Sequence, residues 1–148
     1  MTAYKNKLIM IKEENFKYNE KLSTTSQSID FIINILKIQN EPEEVLQVIG
    51  LDNKLNVVGF IEISRGTLSS AQTTGRELFK KVLLMNCNSI ILTHNHPTGD
   101  ATPSKPDLDF TRKAEEISKL FDIQLLDHII IGDKKHFSIL SKKYITNK

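Results

Sequence analysis

The sequence predicts an α+β domain with a mixed central sheet flanked by helices, and three observations carry that prediction. Stretches rich in β-branched and aromatic residues alternate along the chain with stretches whose apolar residues recur every three or four positions. The run Ser89-Ile-Ile-Leu-Thr93 suits a central strand covered on both faces, which requires a layer on each side of the sheet. The 148 residues, 39% of them hydrophobic, suffice for one buried core and not for two. Interleaved strands and helices in one such core imply a single mixed sheet with helices packed on it.

The first 26 residues are polar and are expected to be loosely attached, leaving residues 27–148 as the domain. From Ser28 to Ile38 the residues Ile29, Ile32, Ile33, Leu36 and Ile38 recur at helical spacing, and the helix should end before Glu41-Pro42. Val45 to Leu51 and Leu55 to Ile63 are β-rich runs joined by Asp52-Asn53-Lys54, a connection of hairpin length. Thr74-Gly-Arg-Glu77 matches a capping box, and Leu78, Phe79, Val82, Leu83 and Met85 form the apolar stripe of a second helix behind it. The strand Ser89–Thr93 follows, then a polar loop from His94 to Lys105. Leu108, Phe110, Ala114, Ile117, Leu120 and Phe121 mark a third helix. Leu125-Leu126 with Ile129–Ile131 mark a strand ending at Gly132-Asp133, and His136 to Leu140 should pair back on it.

Composition narrows the function. No stretch approaches the roughly 20 apolar residues that span a bilayer, so no membrane role is expected. The apolar run Leu8–Ile11 is too short and too charged at its flanks for a secretory signal, which makes the cytoplasm the expected location. A net charge of +2 with dispersed lysines predicts only weak attraction to nucleic acid. The one cysteine, Cys87, has no thiol to pair with and reads as a buried, inert side chain.

The chemistry concentrates in Thr93-His-Asn-His-Pro-Thr-Gly-Asp-Ala-Thr-Pro-Ser-Lys-Pro-Asp107. If His94 closes the strand, His94 and His96 point the same way and can converge on one ion. Asp107 falls in the first turn of the third helix, where the helix dipole favours a carboxylate. Two imidazoles and one carboxylate leave a tetrahedral zinc with an open position, the arrangement that separates catalytic from structural sites. Zinc in such a site acidifies water enough to attack a carbonyl near neutral pH. Glu62, within Gly59-Phe-Ile-Glu-Ile-Ser64, is the candidate proton acceptor, although alternation with Ile61 and Ile63 fits an outward strand residue too. Ser104 can donate to an oxyanion, and Ser104-Lys-Pro-Asp107 equally reads as a capping box.

Glu62, His94-Asn-His96, seven residues, Ser104, two residues and Asp107 together resemble the JAMM metalloprotease signature of JAB/MPN domains. The wider string His94 to Ser104, with Arg65-Gly-Thr-Leu68, Gly75-Arg-Glu77 and Leu126-Asp-His-Ile-Ile-Ile-Gly132, is similar to the RadC branch of that superfamily. The resemblance runs from about Val45 to Tyr144. It implies a cytidine-deaminase-like α/β sandwich, one Zn2+ held by His94, His96 and Asp107, and Glu62 as general acid/base. Catalytic members of the superfamily cut peptide or isopeptide bonds, so a zinc-dependent metallohydrolase acting on a peptide or protein substrate is expected. The alternative is an accessory DNA-repair or mobile-element module that binds a partner or nucleic acid, with Lys80, Lys81, Lys134 and Lys135 as its contacts.

Other readings set the boundaries of the site. Asp127-His128, between Leu126 and Ile129, is either a pair that orients a metal ligand or a satisfied core pair outside the ligand set. His136 reads as a surface strand residue and Gly99-Asp100 as a turn. In an HNH nuclease the three named residues are dispersed over a ββα hairpin, so their adjacency here argues against that class. A cytidine deaminase needs Pro-Cys-x-x-Cys to complete its zinc site, and this chain has one cysteine.

Overall fold

The computed structural model describes residues 3, 5, 7, 11–14, 16–66 and 74–146. Thr67 and Leu68 of the Arg65–Leu68 string, and Leu8 to Met10 of the N-terminal apolar run, lie outside the described residues.

The first helix, α1, covers Thr25–Phe31 and starts three residues before the expected Ser28. Its start is set by a reciprocal capping box: Gln27 N donates to Thr24 Oγ1 while the Gln27 side chain accepts from Thr24 N. The expected helix to Ile38 does not run through as one. A π-helical turn over Ile32–Leu36 closes on Lys37 N–Ile32 O at 2.8 Å, and a short 3-10 turn over Ile38–Asn40 follows. Lys37 between them is left-handed at φ 55°, which breaks the helical path.

Strands β1 (Val45–Leu51) and β2 (Val57–Arg65) form the expected hairpin, but β2 begins two residues later than predicted. Asp52 Oδ1 accepts from the main-chain N–H of Lys54 and of Asn56 (2.8 and 2.9 Å) while Leu55 takes φ 65°, so the turn absorbs residues 52–56. Helix α2 (Gly75–Met85) is capped by Thr74, whose side chain accepts from Glu77 N. Strand β3 (Ser89–Asn95) is buried at every position and extends past His94. Helix α3 (Lys105–Leu120) carries the chain over to β4 (Gln124–Ile131), one continuous strand rather than two apolar fragments. Strands β5 (Lys135–Ser138) and β6 (Lys143–Thr146) complete the sheet, and β6 was not expected from the sequence.

The six described strands run in the order β2-β1-β3-β4-β5-β6, and among them only β3 and β4 are parallel. This is the mixed sheet of an α+β fold, and α3 is the crossover that a parallel pair requires. On one face, Leu78, Phe79 and Val82 of α2 and Phe110 and Ala114 of α3 pack against Leu46, Val48, Ile90 and Leu92. On the other, Ile29, Phe31 and Ile32 pack against Ile49, Leu51, Ile91 and Ile129. Tyr18 sits edge-on to Phe31 at 4.8 Å, and buried Leu22 donates its N–H to Leu55 O, so these residues join that second layer.

His136 departs from its expected surface position. It pairs with Ile131 of β4 and Ile145 of β6, and the outer strand that the sequence did not reveal buries it to 1% exposure. No described helix is long and apolar enough to cross a membrane. Among the lysines considered for nucleic-acid contact, Lys81 Nζ is 2.7 Å from Glu62 O and Lys135 Nζ lies 5.8 Å from the centre of the Tyr144 ring.

Candidate metal centre

The centre forms where β3 ends and α3 begins, at the carboxyl edge of the parallel pair, the position where open sheets leave a crevice. His94 is the sixth residue of β3 and faces α3 with Ile90 and Leu92. His96, just past the strand, is held by two bonds. Its N–H donates to Ile131 O at 3.0 Å, and its ring Nδ1 stands 2.6 Å from Asp100 O. Asp107 is brought to the pair by the start of α3, because Ser104 is its N-cap and the capping box is reciprocal. Asp107 N donates to Ser104 Oγ (3.2 Å), and Ser104 N donates to Asp107 Oδ2 (2.7 Å).

One ligand atom from each of His94, His96 and Asp107 lies within 4.8 Å of the other two, and the three are candidates to hold a metal ion. The separations are 3.0 Å between the two Nε2 atoms, 3.3 Å from His94 Nε2 to Asp107 Oδ1, and 3.4 Å from His96 Nε2 to Asp107 Oδ2. A tetrahedron with metal–ligand bonds near 2 Å has edges of about 3.3 Å, so three of its corners are already in place. A carbonyl oxygen can only accept, so the contact with Asp100 O puts the His96 proton on Nδ1 and leaves the Nε2 lone pair facing the other ligands. Two imidazoles and a carboxylate are also the donor chemistry that suits zinc.

The electrostatics agree with a cation site. Contact with the Asp107 carboxylate raises the His96 pKa, against a smaller opposing effect of burial. Burial works to raise Asp107, but the adjoining His94 and His96 rings prevail and hold it well below the ordinary carboxylate range. His94 and Asp107 are fully buried, while the His96 side chain keeps 14% exposure and Ser104 is exposed, so access is from the His96 and Ser104 side.

Ser104 is the N-cap of α3. Its oxygen accepts from Asp107 N, which leaves its own hydrogen free for an incoming oxygen. Glu62 stands elsewhere. It pairs across the sheet with Gln47, which pairs with Thr93, so it lies on the face opposite Leu46 and His94. Its strand is two strand spacings, about 9–10 Å, from β3. Its carboxylate is engaged by Arg65 at 2.9 and 3.2 Å, and Arg65 also reaches Glu41.

Another carboxylate, that of Glu44, stands near enough to the centre for its charge to act on His96. Leu46 pairs with His94, and continuing that antiparallel register by two residues sets Glu44 opposite His96 on the same face. The charge of Glu44 reaches His96 and contributes to raising its pKa. The middle residue of His94-Asn-His96 fixes this segment from the other face. Asn95 Oδ1 accepts from Val45 N at 2.8 Å, and Asn95 Nδ2 donates to Glu43 O (2.9 Å) and Glu41 O (3.3 Å). Sequence reasoning passed over Glu44 because nothing local marks it; the available signal was an acidic residue directly before a buried strand.

His128 stands directly behind His94. It is fully buried, burial and the nearby His94 hold its pKa well below the ordinary imidazole value, and its Nε2 lies 2.8 Å from His94 Nδ1. Asp127 instead accepts from Ser138 Oγ, His128 N and Leu140 N, an anchor for the β4–β5 hairpin.

A family model described as the RadC-like JAB domain matches residues 22–144. The chain is 41% identical over 127 residues to a UPF0758 protein of Staphylococcus haemolyticus, covering 86% of this chain and 56% of that one. It is 42% identical over 111 residues to a UPF0758 protein of Pseudomonas syringae pv. tomato, covering 74% and 50%. A UPF0758 protein of Desulfitobacterium hafniense is 44% identical over 96 residues, covering 65% and 42%. The chain thus spans about half the length of the curated relatives it matches.

Proposed function

The chain belongs to the RadC-like JAB domain family, and from that premise we propose that it is a zinc-dependent hydrolase cutting a peptide or isopeptide bond of a protein substrate. The observation that carries the reading is the triangle of His94 Nε2, His96 Nε2 and Asp107 carboxylate, with edges of 3.0 to 3.4 Å and its exposed side towards His96. His94, His96 and Asp107 would hold the zinc, which would supply a water acidic enough to ionise near neutral pH and a Lewis acid for the carbonyl. Glu44, opposite His96, accepts the proton of the attacking water and returns it to the departing nitrogen. Ser104 Oγ donates its free hydrogen to the developing oxyanion. The main-chain N–H of Ser104 keeps Asp107 ionised and oriented throughout.

Metal analysis and cleavage of a peptide library test the reading. Wild-type protein should carry one zinc and lose activity to a chelator, and His96→Ala should lose stoichiometric zinc. Glu44→Gln should keep the zinc and lower turnover by about 10² to 10⁴. Glu62→Gln, the competing assignment of the base, should leave turnover nearly unchanged. The reverse pattern would return the base to Glu62, and full zinc in His96→Ala would remove the metal centre itself.

A further inference from the structure

The hydrogen bonds behind His94 have a direction that can be worked out atom by atom. The main-chain carbonyl of Asp107 has no proton to give, and Thr111 Oγ1, one helical turn on, stands 2.6 Å from it. The hydroxyl hydrogen of Thr111 is therefore directed to Asp107 O. The same oxygen lies 2.6 Å from His128 Nδ1. With its hydrogen already used, Thr111 can only accept there, which places a proton on His128 Nδ1.

His128 is at 0% exposure, and its two ring nitrogens meet Thr111 and His94 rather than a carboxylate. A second proton would make it a buried cation without a counter-ion, so the ring is neutral and Nε2 is an acceptor. His94 Nδ1 stands 2.8 Å from that acceptor. Two lone pairs with no cation between them repel at this distance, and this buried contact lies outside the ligand triangle, so it requires a proton on His94 Nδ1. With the proton held on Nδ1, Nε2 is the nitrogen that a neutral His94 ring presents to a cation, and it points at Asp107 Oδ1 and His96 Nε2.

We infer that Thr111 and His128 form a proton-ordering relay that holds the ring proton of His94 on Nδ1, so that Nε2 is the nitrogen offered to a cation. Both are positioning residues: neither contacts the ion or a substrate. The relay begins on the main chain of one ligand, Asp107, and ends on the ring of another, His94, tying α3, β4 and β3 together. A one-residue bulge in β4 makes it possible. Ile90 pairs with Leu125 but Ile91 with Asp127, so Leu126 is skipped and His128 comes to pair with Leu92 on the His94 face.

The inference rests on the metal reading above, and its test separates the two. In the full chain without added metal, nitrogen-resolved histidine NMR should find both His94 and His128 protonated on Nδ1. Zinc affinity is then measured by competition with a fluorescent chelator. His128→Phe removes the acceptor and should weaken zinc binding by about 10- to 100-fold, with His94 shifting towards the Nε2-protonated form. His128→Gln, which keeps an oxygen near the position of Nε2, should restore most of the affinity. Thr111→Val should shift His128 and His94 in the same direction as His128→Phe. A wild-type chain that binds no zinc overturns the metal centre and this role with it. A zinc-binding wild type whose His94 is protonated on Nε2 overturns the relay alone, as does equal affinity in the Phe and Gln variants. The wild-type spectrum decides the matter even where a variant fails to fold.

Discussion

Gly132→Ala perturbs the centre from a distance, and the structure sets its size. Gly132 follows β4 directly, where the loop from His96 to Ala101 lies against it. A Cβ at this position would stand 2.5 Å from Gly99 O, 2.7 Å from Lys135 O and 3.0 Å from Ala101 N. All three are main-chain atoms, and ordinary contact needs about 3.5 Å, so the loop must withdraw by roughly 0.5 to 1 Å. It has little freedom to do so. Asp133 N donates to Gly99 O at 3.0 Å, Gly99 N donates to His96 O at 2.8 Å, and Asp100 O holds the His96 ring. Overpacking costs about 1–3 kcal/mol and a weakened main-chain hydrogen bond about 1 more, giving a total of roughly 2–4 kcal/mol. For a domain of this size that is a fall in Tm of roughly 6–15 °C by calorimetry. Displacing Asp100 O also loosens His96, so zinc affinity should drop about 10- to 100-fold. Gly59→Ala is the control, because its Cβ would meet nothing within 4 Å, and its Tm should hold or rise slightly. A Gly132→Ala protein melting within about 2 °C of wild type with full zinc affinity would refute the reasoning.

Three further outcomes can be checked. Ser104→Ala removes the N-cap hydroxyl and should cost about 1 kcal/mol in urea unfolding. It should still bind zinc, because Ser104 N rather than its side chain donates to Asp107 Oδ2, so loss of the metal would contradict this geometry. His128 makes stability depend on pH. Its folded pKa is depressed by burial and by His94, while the unfolded chain takes up a proton near 6.5, so the unfolded state binds more protons below that pH. Stability contributed by the neutral ring is present above pH 6.5 and is lost as pH falls towards the folded value, by up to about 1.4 kcal/mol per pH unit. Urea titrations at pH 7 and 5.5 should show the loss in wild type and a shallower one in His128→Gln; identical losses would remove His128 as its source. Burial pushes the Cys87 thiol up, so a disulfide reagent should label it only after denaturant is added, and rapid native labelling would be the contrary result.

Features that depend on near neighbours are legible in the order of the amino acids. The alternation of strand and helix periods yielded the α+β class. Two-residue spacing put His94 and His96 on one side, and the four residues Ser104 to Asp107 carried their own capping chemistry. Each is set within a few residues, by hydrogen bonds and side-chain directions that local backbone geometry fixes. Features that depend on how strands are aligned emerge only in the folded sheet. Glu62 and Glu44 are both acidic residues beside apolar runs, and only the register of β1 against β2 and β3 turns one away and sets the other opposite His96. The skipped Leu126 likewise gives no sign in the chain, yet it moves His128 to the face of His94. Side chains alternate faces along a strand, so a one-residue change in pairing reverses which side every later residue serves, and that pairing is chosen by the packing of the whole sheet.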